Sequence, residues 1–383
     1  MSKTIISKMT ISKLSLMFTC KFIWMFACLV CLLHPSTAAA WGYQGHEVVG
    51  AIADRLLSTN AKAQVRLILN GPDASQEPVS LVRRRELKLQ QAGPWADCVK
   101  SVVLFATDGK FHYYVDPSHL DYEVPCVSFN SAEERARMED YVRRNFDTCS
   151  YAPPPDGLQR GCHNTFHFED VAIQRNMFDR NERGTNDHDL VAAIGATIAV
   201  LTDKPVPPPF PFSIRDKKEA LLLLAHLIGD LHQPLHVGAV YLDAEGRQVD
   251  PDTAQWTDPT MDTVGGNAIQ DQNLSLHHEW DDIPTDIGES WTKELLAAAQ
   301  ATPASQGPID GWPKAWATDT LHAAQDAFKP LKFAPVNPPS SFYKWTVSFD
   351  DHMAYLRLMD GIKRSQLAKG GARLAEILNT IWP

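Results

Sequence analysis

The chain has 383 residues, 44% of them hydrophobic, and a formal net charge of −10. That is enough apolar material for a sizeable core, and the length is within reach of one large domain. The acidic balance argues against a protein that grips long duplexes by neutralising phosphates, which takes basic surface. It still admits a phosphodiester substrate, if bound divalent cations supply the local positive charge.

The N-terminus reads as a targeting segment. Lys3, Lys8, Lys13 and Lys21 precede an apolar stretch, Phe22 to Leu33, and then Pro35-Ser-Thr-Ala-Ala-Ala40. A basic start, an apolar run shorter than the roughly 20 residues that span a bilayer, and a small-x-small ending describe a secretory signal over residues 1–40. No later segment comes close to a span. The expectation is an exported protein, secreted or periplasmic, with no stable membrane association; a retained anchor is the alternative. Cleavage after Ala40 leaves residues 41–383 and frees the α-amine of Trp41. Its reference pKa of about 7.7–8.0 lets it lose a proton readily and ligate a metal, with His46 five residues on.

Helical spacing of apolar residues predicts helices over His46–Leu57 and Ala61–Leu69. Glu47 and Asp54 read there as solvated helix residues. Four cysteines lie outside the leader: Cys98, Cys126, Cys149 and Cys162. In an exported chain they suggest two disulfides, with three connectivities open, stapling residues 98–162 as a local insertion. Neither a C-x2-C nor a C-x4-C spacing occurs outside the leader, which argues against a zinc site built from all four. Within this segment lie a charged helix near Ala132–Arg144 and a loop at Pro153–Pro155. An apolar helix over Asp189–Leu201 follows, then a break at Pro205–Pro211. Lys217–His232 is the clearest helix, and 239–266 reads as a long loop with room for a hairpin. Two helices close the chain, near Asp350–Arg364 and Gly371–Ile381. The class is mainly α, one multi-helix domain with long functional loops.

The centre of the sequence is Ala225-His226-Leu-Ile-Gly-Asp230-Leu-His232-Gln-Pro-Leu-His236. His226 and Asp230 are spaced i,i+4, so they leave one helix face a turn apart and can share a cation. Pro234 ends the helix and turns His236 to a second position. His277-His-Glu-Trp-Asp281 repeats the i,i+4 His/Asp spacing, and Trp95-Ala-Asp97 adds a carboxylate. A single such pair is ordinarily a surface hydrogen bond. Two, one of them inside an apolar helix where unpaired charge is costly, point to metal. Mixed imidazole and carboxylate donors suit zinc better than calcium. His232 and His278 read as supporting or surface residues, and His322 and His352 lack ligand-like neighbours.

Trp41-Gly-x-x-Gly-His46, Trp95-Ala-Asp97, His226-x3-Asp230-x-His-Gln-Pro-Leu-His236, Gly265-Gly-Asn267 and Leu276-His277-x2-Trp-Asp281 resemble the S1/P1 nuclease family, in the same order. Zinc-dependent phospholipase C shares the trinuclear arrangement, but Trp-Ala-Asp, His-Gln-Pro-Leu-His and Gly-Gly-Asn favour the nuclease branch. The resemblance implies the phospholipase C/P1 nuclease fold and three zinc ions. Asp97, one further histidine, His226 and Asp230 would hold the first. Trp41, His46 and Asp230 would hold the second, and His236, His277 and Asp281 the third. The further histidine is His167, in Phe166-His-Phe-Glu-Asp170, or His112, in Phe111-His-Tyr-Tyr-Val-Asp116; the order of residues around His167 matches the family motif better. The resemblance also implies Asp170 and Asn267 as substrate contacts. Asp97 and Asp230 would serve catalysis through the metals.

The implied activity is cleavage of single-stranded DNA and RNA to 5′-phosphorylated products, with 3′-nucleotidase activity. Single strands suit it because an unstacked base can enter a pocket beside the metals. No protein partner is expected. The competing readings are a phospholipase C of the same fold and a non-catalytic, metal-stabilised exported protein.

Overall fold

The computed structural model describes residues 41–72, 86–105, 107–115, 124–147, 161–206, 212–253, 261–338, 340 and 342–383. The leader, Cys149 and the Pro153–Pro155 loop lie outside the described residues. The first apolar stripe becomes helix α1 (Tyr43–Leu56), which buries Val48, Val49, Ile52 and Ala53. Ser58 caps α2 (Thr59–Asn70) by accepting the Ala61 N–H. Two short helices follow, α3 (Leu89–Ala92) and α4 (Trp95–Cys98).

Asp54 and Glu47 are not simply solvated. The Asp54 carboxylate accepts the N–H groups of Leu89 and Gln90 at 3.3 and 3.1 Å, so it caps α3 from the neighbouring helix. Burial pushes it up to about 6. Glu47 is pushed up to about 7, by burial and then by the charge of Glu289.

A hairpin follows, β1 (Val102–Phe105) against β2 (Lys110–Tyr113). Helix α5 (Ala132–Arg144) has Ser131 at its N-cap, glutamates in its first turn and arginines in its last, as the helix dipole favours. The 98–162 segment is stapled by Cys98–Cys126, one of the open pairings, and Cys162 is also disulfide-bonded. It does not stand apart from the core. Phe129, Met138, Tyr141 and Val142 are buried in the main apolar cluster. The Arg144 guanidinium donates to both oxygens of buried Glu219 at 2.8 Å.

Strand β3 (Val171–Ala172) precedes α6 (Leu190–Leu201), capped by Asp189, and α7 (Lys217–Leu231), capped by Asp216. Parallel to β3 runs β4 (Gly238–Ala239), and the hairpin in the long loop is β5 (Tyr241–Leu242) with β6 (Gln248–Val249). Then come β7 (Ile269–Asp271), β8 (Leu274–Ser275), α8 (Leu276–Asp281), α9 (Lys293–Gln300), α10 (Trp312–Phe328), β9 (Leu331–Pro335) and β10 (Trp345–Phe349). They build a four-stranded sheet in the order β8-β7-β10-β9, with β7 and β10 parallel. Sequence periodicity did not reveal α9, α10 or this sheet.

The chain closes with α11 (His352–Ile381), one continuous helix where two were expected. A β-carbon at 371 would lie 2.5 Å from the Ile52 side chain, so glycine lets α1 press against α11. Packing overrides the helix cost of about 1 kcal/mol per glycine. Residues 219–231 of α7 are buried on every side, and α1–α4, α6, α10 and α11 all pack on it. No described helix is long and apolar enough to cross a membrane.

The glycines of α11 give a paired test by urea unfolding. Nothing lies within 4 Å of a β-carbon at exposed Gly361, so Gly361→Ala should stabilise by about 1 kcal/mol. Gly371→Ala should destabilise by about 1–3 kcal/mol through overpacking. Equal effects at the two sites would contradict the close approach of α1.

Candidate metal centre

Helix α7 places His226 and Asp230 one turn apart, both fully buried. Its Ala220–Leu231 run is apolar apart from these two, so their polar groups face each other and not solvent. The His226 Nδ1 approaches the Gly93 carbonyl at 2.8 Å, which turns Nε2 toward the Asp230 Oδ2 at 3.1 Å and the Asp97 Oδ1 at 3.7 Å. His46, from α1, stacks on His226 with ring centroids 3.7 Å apart and reaches Asp230 Oδ1 at 3.3 Å. A β-carbon at Gly229 would stand 2.6 Å from the His46 Nδ1; glycine there gives the ring its place.

His167 completes this side. Its Nδ1 is 2.9 Å from Asp230 Oδ2 and 3.0 Å from His226 Nε2. His112 stands elsewhere, 40% exposed on β2 and paired with Asp108 at 2.8 Å. It belongs to none of the His/Asp groups that could hold a metal among the described residues. Those groups are His46–Asp97–His226, His167–His226–Asp230 and His236–His277–Asp281, each with ligand atoms within 4.8 Å of one another.

The third group forms where the turn after α7 meets α8. His236 Nδ1 lies 2.7 Å from the His167 carbonyl, and His277 Nδ1 lies 2.7 Å from the Gly265 carbonyl. Their Nε2 atoms face Asp281 at 3.9 and 3.5 Å. Trp41 is fully buried, and the next residue, Gly42, donates its N–H to the Asp281 carbonyl at 2.9 Å. The start of the described chain is therefore tied to this group.

Asp170 is buried, and its side chain accepts the Gly265 N–H. Burial, then the charge of Asp262, pushes it well above the usual carboxylate range. The half-buried Asn267 folds its amide back onto the Val264 carbonyl at 2.9 Å. Both residues border the Gly265–Gly266 turn on which His277 rests.

The donor set suits a cation. Burial lowers His46, His236, His167 and His277, the last two to about 3, so these four imidazoles are neutral and ligand-competent at pH 7. At His226 burial also lowers, but Asp230 and Asp97 outweigh it and raise the imidazole. Burial would raise Asp97 and Asp230. Lys100 and nearby histidines hold Asp97 below its usual range, and His226, His167 and His46 do the same for Asp230. Asp281 is driven well above its range by burial. His46 Nε2, Asp230 Oδ1, His236 Nε2 and Asp281 Oδ2 are buried without a hydrogen-bond partner. Each such atom ordinarily costs about 1–3 kcal/mol, and their convergence is what metal ions would satisfy.

Two supporting residues escaped the sequence reading. Lys100 Nζ holds Asp97 Oδ1 at 2.6 Å, and Gln233 Nε2 donates to Asp281 Oδ1 at 2.7 Å. The i,i+3 spacing from Asp97 could have drawn attention to Lys100. Gln233, a neutral amide between two histidines, carries no ligand signal. His232 is fully buried, held by Ile228 and Arg373 away from the three groups, which removes the surface reading.

Counting bound metal in two variants separates the histidines. His167→Ala should lower divalent-metal binding and reduce activity by more than the roughly 10–100-fold typical of losing a supporting partner. His112→Ala should leave metal content unchanged. The reverse pattern would move the ligand role to the hairpin.

The family model of S1/P1 Nuclease matches residues 41–139 and 131–383. Endonuclease 4 of Arabidopsis thaliana is 22% identical over 373 residues, covering 94% of this chain and 95% of that protein. Endonuclease 5 of the same plant is 21% identical over 375 residues, covering 94% and 96%. The mainly α fold wrapped around three His/Asp groups and the family match over nearly all the described chain lead to one conclusion: this chain is a nuclease and belongs to the S1/P1 nuclease family.

Proposed function

We propose that the protein is a zinc-dependent nuclease that hydrolyses single-stranded DNA and RNA to 5′-phosphorylated products and acts as a 3′-nucleotidase. Both activities break the bond between phosphorus and a 3′-oxygen, so one site serves both. The observation that carries the reading is Asp230. One of its oxygens faces His46 while the other faces His167 and His226, as a carboxylate bridging two cations requires.

In this reading Asp97, His167, His226 and Asp230 hold one zinc. Trp41, through its α-amine and carbonyl, joins His46 and Asp230 at a second, and His236, His277 and Asp281 hold a third. Bound zinc supplies Lewis acidity, polarising phosphoryl oxygens and acidifying water near neutral pH. The chain itself supplies placement. Lys100 fixes Asp97, and backbone carbonyls of Gly93, His167 and Gly265 orient His226, His236 and His277. Asp170 and Asn267, beside the Gly265–Gly266 turn, are the proposed contacts for a base; Asp170, with its raised affinity for a proton, can donate as well as accept a hydrogen bond there. Export across a membrane is supported by the basic-then-apolar leader and by the Cys98–Cys126 disulfide, which belongs in an oxidising compartment.

The test is hydrolysis of single-stranded DNA, 3′-AMP and phosphatidylcholine by purified protein, before and after chelation. The first two should be cleaved, activity should vanish with chelator and return with zinc, and the lipid should be untouched. Cleavage of the lipid alone would replace the nuclease reading with a phospholipase.

Asp230→Asn keeps shape but removes the charge shared by two cations. It should lose two of three zinc ions by atomic absorption and nearly all activity. Three retained ions would remove the bridge.

A form beginning Met-Trp41 blocks the tryptophan amine. It should hold one zinc fewer than protein beginning at Trp41, and full zinc content in the extended form would exclude the amine as a ligand.

A further inference from the structure

One polar contact that these roles leave unused joins the end of α7 to α11. Arg373 of α11 places Nη1 2.9 Å from the His232 Nε2. Guanidinium can only donate, so His232 Nε2 carries the lone pair and Nδ1 the proton, given to the Ile228 carbonyl at 2.7 Å. His232 is thus a neutral bridge between the end of α7 and α11. Arg373 is itself held: Nη2 pairs with Asp319 Oδ2 at 2.9 Å, and its guanidinium lies 5.4 Å from the Trp316 ring centroid. Lys369 also pairs with Asp319, at 2.8 Å.

The residue after His232 is Gln233. Its Nε2 donates to Asp281 Oδ1, and its Oε1 accepts the Leu235 N–H, shaping the 3₁₀ turn that ends at His236. A β-carbon at Gly370 would lie 3.5 Å from the His232 ring, so α11 touches this histidine with backbone as well as with Arg373.

We infer that Arg373 is a positioning residue for the His236–His277–Asp281 group. Acting through His232, it fixes the exit of α7, so that Gln233 and His236 meet Asp281 in a set geometry. The inference rests on the zinc reading above and assigns Arg373 no contact with substrate. It commits to selectivity: the third ion depends on Arg373, and the pair at Asp230, held from α1, α4 and His167, does not.

Arg373→Met keeps the length of the stem over Trp316 but removes both pairings. The experiment measures zinc stoichiometry after dialysis against graded chelator, kcat and KM on single-stranded DNA across a zinc titration, and thermal stability. The expected result is loss of one ion, with its affinity weakened about 10–100-fold, the range for removing the partner of a ligand. The other two should stay, and excess zinc should restore kcat. Arg373→Lys should fall between, since a single ammonium nitrogen does not reproduce the planar fork whose separate Nη1 and Nη2 reach His232 and Asp319. Three ions held at wild-type affinity by Arg373→Met would overturn the inference, as would equal loss of all three with lowered stability and no rescue by zinc. If the Met variant does not fold, Arg373→Lys is read by the same criteria. Wild-type protein that binds no zinc would overturn the zinc reading itself, an outcome distinct from unselective variants beside a three-zinc wild type.

Discussion

The structure is organised around one constraint, a carboxylate buried inside an apolar helix. Asp230 is fully buried in α7, and an isolated charge at such a depth would be prohibitively expensive. Its surroundings must bring compensation from distant parts of the chain. His46 comes from α1, His167 from the segment before β3, and His226 from the preceding turn of α7 itself. The wrapping of α7 by seven other helices is the counterpart of that demand, because it excludes water and delivers the partners.

A second regularity concerns how the imidazoles are aimed. His226, His236 and His277 each present Nδ1 to a backbone carbonyl, from Gly93, His167 and Gly265. Those carbonyls belong to three separate segments, so ring orientation is set by backbone groups and not by side-chain type. Tying one ring nitrogen to a fixed acceptor selects the tautomer and leaves the other available to a metal. His167 and His46 are exceptions: His167 turns Nδ1 inward to Asp230, and His46 Nδ1 meets no carbonyl.

The ligand-type side chains therefore depend on residues that are not themselves ligands. Gln233 steadies Asp281, Lys100 steadies Asp97, and glycine at 229 makes room for the His46 ring. At the other end of the same helix, the Arg144–Glu219 pair ties α7 to the disulfide-bearing segment. That segment shares the main core through Tyr141 and Val142, which joins the stapled region to the body of the domain.

The sequence by itself determined the helices whose signals are local. Ala132–Arg144 carries its N-cap serine, acidic first turn and basic last turn, and α7 its leucine run and Asp216 cap. The i,i+4 pairs His226/Asp230 and His277/Asp281 were legible for the same reason, since spacing within one helix fixes their relative position. What brings those pairs together was not legible. Whether His112 or His167 approaches Asp230 depends on contacts across 63 residues for His167, with no periodicity to reveal them. The continuity of α11 through Gly370-Gly371 was misread because the close approach of α1 decides it, not helix propensity. Likewise the parallel pairing of β7 with β10 joins residues far apart in sequence, and Asp54 caps a helix other than its own. Local hydrogen bonds and side-chain spacing are written in the sequence; the choice of partner for a buried charge is made by the packing of the whole chain.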